Sequence, residues 1–96
     1  ELQQAVKDPR AKAEAHLHLA DAFAGKDLQD LAYGQLEKAL EAAQGGEVKK
    51  EIRYRIGVLC EAMDRADEAL QHFTSILEQD IGFRDVREKV DRLRAG

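Results

Sequence analysis

A chain of 96 residues makes one small domain, hiding roughly 60 to 65% of the surface its unfolded form would expose, which excludes a multidomain machine. Apolar residues are 44% and charged residues 35%, with 5% aromatic, 7 Gly and 1 Pro, a balance that suits a chain built almost wholly of helices. The formal charge of −4 disfavours general attraction to nucleic acid or an anionic membrane, and no apolar run approaches the roughly eighteen residues of a membrane span, so no membrane insertion is expected.

The chain opens on Glu1 rather than Met, as a piece of a longer protein would. Residues 1–8 carry Leu2, Ala5 and Val6, which fall on Leu36, Ala39 and Leu40 at an offset of 34 residues and so read as the tail of a preceding repeat helix. Residues 11–24 form a first amphipathic helix, with Ala15, Leu19, Ala22 and Phe23 at three- and four-residue steps. Gly25, Lys26 and Asp27 make a turn, with Asp27 placed to cap the next helix and Asp30 in its first turn. That second helix runs over 28–43 on a stripe of Leu28, Leu31, Ala32, Leu36, Ala39, Leu40 and Ala43, and Gly45-Gly46 ends it. A third helix is expected over about 47–63, a turn at Asp64-Arg65-Ala66, and a fourth over about 67–79, where Asp64, Asp67 and Glu68 read as caps. The last helix, within 84–96, has Val86, Val90 and Leu93 on one side. Opposite charges four apart (Asp85 and Lys89, Arg87 and Asp91, Glu88 and Arg92) lie on the other.

Sliding the sequence by 37 residues places Glu14 on Glu51, Asp30 on Asp67, Ala32 on Ala69, Leu40 on Leu77 and Glu41 on Glu78. The same shift keeps apolar or small character where Leu19 meets Ile56, Ala20 meets Gly57, Phe23 meets Cys60, Leu36 meets Phe73 and Ala39 meets Ile76. Two helix-pair units, 11–46 and 47–83, follow. Both carry a large apolar residue followed by a small one in the first helix (Leu19-Ala20, Ile56-Gly57) and a small residue, Ala32 or Ala69, in the second. In this the sequence resembles the tetratricopeptide repeat over most of its length. It departs from that pattern at His16 and Arg53, where the family often has Trp, at Cys60 in place of an aromatic, and at Ile81-Gly82 in place of the terminal Pro. The resemblance implies an all-α solenoid of antiparallel helix pairs closed by a C-terminal capping helix.

Catalytic chemistry is hard to find. His16 and His18 sit two apart and so point about 200° apart around a helix, His72 lies on another, and Cys60 falls in a core register, so neither a metal site nor a nucleophile is expected. A single cysteine excludes an internal disulfide and favours a reducing, cytoplasmic setting. Gly45-Gly46 lacks the context of a phosphate loop. The basic cluster Lys49, Lys50, Arg53 and Arg55 is offset by Glu47 and Glu51 and interleaved by Tyr54 alone, which suits a solvated or protein-binding face better than nucleic acid. No enzyme and no cofactor is expected.

In the resembled family the first helices of successive units line a concave groove that takes a partner's peptide or helix. Carried over, the contact positions are Glu14, Leu17, His18 and Asp21 in the first unit and Glu51, Tyr54, Arg55, Val58 and Glu61 in the second. Leu17 and Tyr54 are not needed for the core register and are expected to be exposed, and Tyr beside Arg has the composition of an interface hot spot. The lysine and asparagine clamp that some members place on a terminal carboxylate is replaced by Leu17, Asp21, Tyr54 and Val58. The run from Glu78 to Val86 is similar to the ends of repeat arrays in bacterial scaffold proteins, including some that place pili or motility complexes at a cell pole. The expectation is an adaptor or scaffold module. The alternative is a structural module that stacks on its own upstream repeats or self-associates, with no separate ligand.

Overall fold

Proline fixes its backbone near helical geometry and lacks an N–H that the first turn would leave unsatisfied, and α1 accordingly starts at proline, over Pro9–Gly25. The structure, a computed structural model, describes residues 9–95. Four helices follow: α2 Gln29–Ala42, α3 Gly46–Ala62, α4 Ala66–Gln79 and α5 Val86–Ala95, with no strand among the described residues. None of these helices is long and apolar enough to cross a membrane. Residues 1–8, read from sequence as a preceding helix tail, lie outside the described residues. The chain divides into two compact units, 1–52 and 53–96, the boundary falling inside α3.

In the first unit α1 packs against α2. The buried positions of α1 and α2 are mostly alanine, at Ala13 and Ala20 on α1 and Ala32, Ala39 and Ala43 along α2 and its end, with Leu36 the one large buried side chain on these two helices; Lys50 and Ile52 are buried on α3. Side chains as small as alanine let two helix backbones approach closely. The stripe expected to pack on α1 is displaced: Ala15, Leu19 and Ala22 are exposed, while Leu17, a predicted surface residue, is half-buried alongside Phe23. Ala15, Leu19 and Ala22 lie roughly 140° round the helix from Ala13 and Ala20. Since α1 carries apolar residues on most of its circumference, periodicity alone does not single out the face that α2 covers. On α2, Leu28 and Leu31 are likewise exposed rather than packed.

In the second unit α4 packs against α5, and Cys60, Ala69, Phe73, Ile76, Val86 and Val90 are buried. Gly57 is required by proximity. A Cβ built on it would stand 2.7 Å from two carbons of the Phe73 ring, so α3 approaches α4 more closely than any side chain there allows. The α5 stripe matches expectation, with Val86 and Val90 buried and Leu93 half-buried.

The repeat is written into the backbone as well. At the end of α1, the Leu28 N–H donates to the Phe23 carbonyl at 2.9 Å and Asp27 N–H to the Ala24 carbonyl at 3.1 Å. Thirty-seven positions on, the Arg65 N–H donates to the Cys60 carbonyl at 2.8 Å and Asp64 N–H to the Glu61 carbonyl at 3.1 Å. Both are Schellman closures, with Asp27 (φ 61°) and Asp64 (φ 60°) in the left-handed region. This corrects the capping roles read for Asp27 and Asp64. The N-caps are Leu28 and Arg65, neither making a side-chain cap hydrogen bond, and the acids in the first turns are Asp30, Asp67 and Glu68. Gly45-Gly46 is corrected too: α2 ends as Ala43 turns extended, Gly45 takes φ 98°, and Gly46 opens α3.

Candidate functional site

Arg10, Glu14, Leu17 and Asp21 recur at four-, three- and four-residue steps and so share one side of α1. Beside this stripe the first unit has a cavity of about 410 Å³ lined by Arg10, Ala13, Glu14, Leu17, Ala43, Gln44 and Val48. It exists because Ala13 and Ala43 offer only methyl groups, and because the chain passes from α2 to α3 through the short Gln44-Gly45 link before Val48 on the first turn of α3. Its floor is apolar (Ala13, Leu17, Ala43, Val48), with a cation (Arg10), an anion (Glu14) and an amide (Gln44) among its polar walls. Of the predicted contact residues, Glu14, His18 and Asp21 are exposed and Leu17 is half-buried.

The predicted residues of α3 are placed differently. Tyr54, expected to be exposed, is half-buried: its hydroxyl donates to Asp85 Oδ1 at 2.6 Å, and its ring meets Phe73 edge-on at 5.6 Å and Phe83 at 6.1 Å. The Arg84 guanidinium lies 5.0 Å from the same ring centre. Burial, then the bond to Asp85, pushes the Tyr54 hydroxyl up to about 12, and that same bond holds the Asp85 carboxyl below its ordinary range. Glu61 is also engaged, with Lys89 at 3.5 Å and with Arg92, the residue expected beside Glu88. Tyr54 and Glu61 therefore fasten α5 to α3 within the second unit. Glu51 and Arg55 are half-buried, and Val58 is exposed.

Lys50, read as part of a solvated basic cluster, is buried at 7% exposure and pairs with Glu47 at 2.8 Å. The Cys60 thiol is fully buried, in keeping with its core register. His16 Nδ1 donates to Gln35 Oε1 at 2.7 Å, which ties α1 to α2.

The sequence pattern does not mark Arg10, Ala13, Ala43, Gln44 and Val48 as site residues, although the four-residue steps Val48, Ile52, Ile56 place Val48 on the apolar side of α3. The Phe83-Arg84-Asp85 segment that receives Tyr54 is a loop, where periodicity gives no guide. No protein-family model matches the sequence, and no curated protein is significantly similar to it.

Proposed function

We propose that the chain is a protein-interaction module of tetratricopeptide type, an adaptor or scaffold element that takes a partner's segment along the Arg10, Glu14, Leu17, Asp21 side of α1. The cavity in the first unit carries this reading: an apolar floor with a few polar groups around it suits a partner's apolar side chain held in one orientation. The internal repeat supports it further. Leu17 corresponds to Tyr54, which is already occupied by Asp85, Phe83 and Arg84, whereas the surroundings of Leu17 include open space. A helical solenoid in a reducing, cytoplasmic setting fits the repeated turn geometry and the single buried thiol. The likeness of the 78–86 run to bacterial array ends makes a polarity, motility or pilus-assembly complex the favoured context.

The test is capture from lysate by the native chain beside a Glu14→Lys/Val48→Glu variant, with bound proteins identified by mass spectrometry. Both residues are exposed, so the variant keeps its helicity. A protein held by the native chain and lost by the variant is the expected result. Identical retention by both refutes the assignment of this face.

A further inference from the structure

Helical spacing gathers a second set of side chains on another side of the first unit. Lys12, His16 and Leu19 stand at four- and three-residue steps on α1, and Leu31, Gln35, Lys38 and Ala42 at four-, three- and four-residue steps on α2. The bond from His16 to Gln35 closes the space between these two stripes, which makes them the walls of one groove. At one end, near the α1–α2 turn, the groove is apolar, with Leu19, Leu28 and Leu31 exposed at 45, 44 and 52%. At the other end it opens into a cavity of about 400 Å³ lined by Lys12, His16, Lys38, Glu41 and Ala42. Lys12 and Lys38 are exposed, and neither has an ion-pair partner among the described residues. Two lysines against one glutamate make this end electropositive, in a chain whose overall charge is −4.

The repeat supplies a control for the leucines. Leu28 and Leu31 correspond to Arg65 and Glu68, which face each other as an ion pair at 3.8 Å. Where the second unit meets water with charge, the first presents leucine. Leu19 corresponds to Ile56, which is fully buried, so its own exposure is not a demand of the repeat. Exposed apolar clusters of this kind mark surfaces that another molecule covers.

The geometry points to a docking site on α1 and α2 for an amphipathic helix of a partner protein, apolar over one half and acidic over the other. The acids meet Lys12 and Lys38, and the apolar half covers Leu19, Leu28 and Leu31. The span from Leu31 to Ala42 is about 16 Å of helix, so the occupant presents about three turns. Lys12, His16 and Leu19 point roughly 160° away from Arg10, Glu14 and Leu17, so this site lies on the other side of α1 from the proposed partner cavity and does not depend on it.

The probe is a fluorescent, lactam-stapled helix of about twelve residues with leucines over one half and glutamates over the other, made with the acids at either end, and titrated by anisotropy into the full chain. One of the two orientations is expected to saturate, more weakly as salt is raised. Lys12→Glu/Lys38→Glu should weaken it by about tenfold or more and should favour the same peptide with lysine in place of glutamate. Leu31→Glu should abolish binding, while Val48→Glu, in the other cavity, should leave it unchanged, which separates the two sites. The proposal is overturned if neither orientation saturates, if the charge-reversed protein binds as well as the native one, or if an unstapled, proline-interrupted peptide of equal composition binds equally. A dimer in sedimentation that Leu31→Glu dissolves would also overturn it, since a second copy would then hold the face.

Discussion

Gly57→Ala and Gly34→Ala add the same methyl group to two helix-interior glycines, and the packing around them requires opposite signs. At Gly34 a Cβ meets nothing within 4 Å, so the substitution should stabilise by about 0.5–1 kcal/mol through lower backbone entropy in the unfolded chain. At Gly57 the new carbon falls 2.7 Å from Phe73, where something must shift. Phe73 is fully buried, with Tyr54 against its edge and Lys89 Nζ 5.6 Å from its centre, so it has little room to retreat. Overpacking of this kind costs about 1–3 kcal/mol, which outweighs a helix-propensity gain of up to about 1 kcal/mol. With Phe73 held in place the cost lies toward the upper end, about 2–3 kcal/mol, so the expected net loss is about 1–2 kcal/mol, with Tm moving by about 4–8 °C per kcal/mol for a chain of this size. Thermal and guanidinium melts followed at 222 nm read both variants. Phe73→Leu in the Gly57→Ala background should recover part of the loss, because the leucine lacks the ring carbons that collide. Equal melts for native and Gly57→Ala would refute the close approach of α3 to α4, and a destabilised Gly34→Ala would refute the open space beside Gly34.

Other consequences follow from the turns, the aromatic cluster and the thiol. Asp27→Gly and Asp64→Gly should each stabilise by about 0.5–1 kcal/mol, since glycine enters the left-handed region without the Cβ penalty; no gain in denaturant melts would contradict the Schellman geometry. Tyr54→Phe removes a hydrogen bond to a half-exposed carboxylate and should cost about 1 kcal/mol, a discounted value because water competes at Asp85. The same bond sets a pH dependence. Asp85 is held below its ordinary 3.8, so stability present above that pH falls as acid protonates it in the folded state. Tyr54 is raised from 10.0 to about 12, so between those values the unfolded chain has lost a proton that the folded chain keeps, and stability falls as pH rises. Tyr54→Phe should flatten both limbs of the stability profile. Cys60, fully buried, should react with a thiol reagent at the rate of opening, slowly in buffer and at once in denaturant.

The helices are legible because their punctuation is local: the Gly25 turn, Gly45-Gly46 and Asp64-Arg65 bound apolar stripes of helical period, and the observed ends fall within two residues of those expected. The repeat was legible for the same reason, since Ala20 and Gly57, or Ala32 and Ala69, recur at a fixed distance. What the residues did not reveal was which side of α1 is covered, because Ala13, Ala15, Ala20 and Ala22 are chemically alike and only the position of α2 separates them. Tyr54 was misplaced for a related reason. Its partners, Phe83 to Asp85, arrive from a loop whose path depends on how α5 returns, and a single tyrosine with arginine beside it looks the same whether it waits for a partner or has one within the chain. Asp27 and Asp64 suggest N-caps because Asp serves both ends of a helix, and only the backbone angle distinguishes the roles.

The claim that the chain binds another protein through α1 is tested most directly by photocrosslinking. Benzoylphenylalanine is placed at Val48, on the cavity wall, and in a second preparation at Asp67, exposed on the first turn of α4, and each is irradiated in lysate of the source cells. One discrete crosslinked species from position 48, absent from position 67 and suppressed by Glu14→Lys, is the predicted result. No adduct at 48, or the same adducts from both positions, would contradict it.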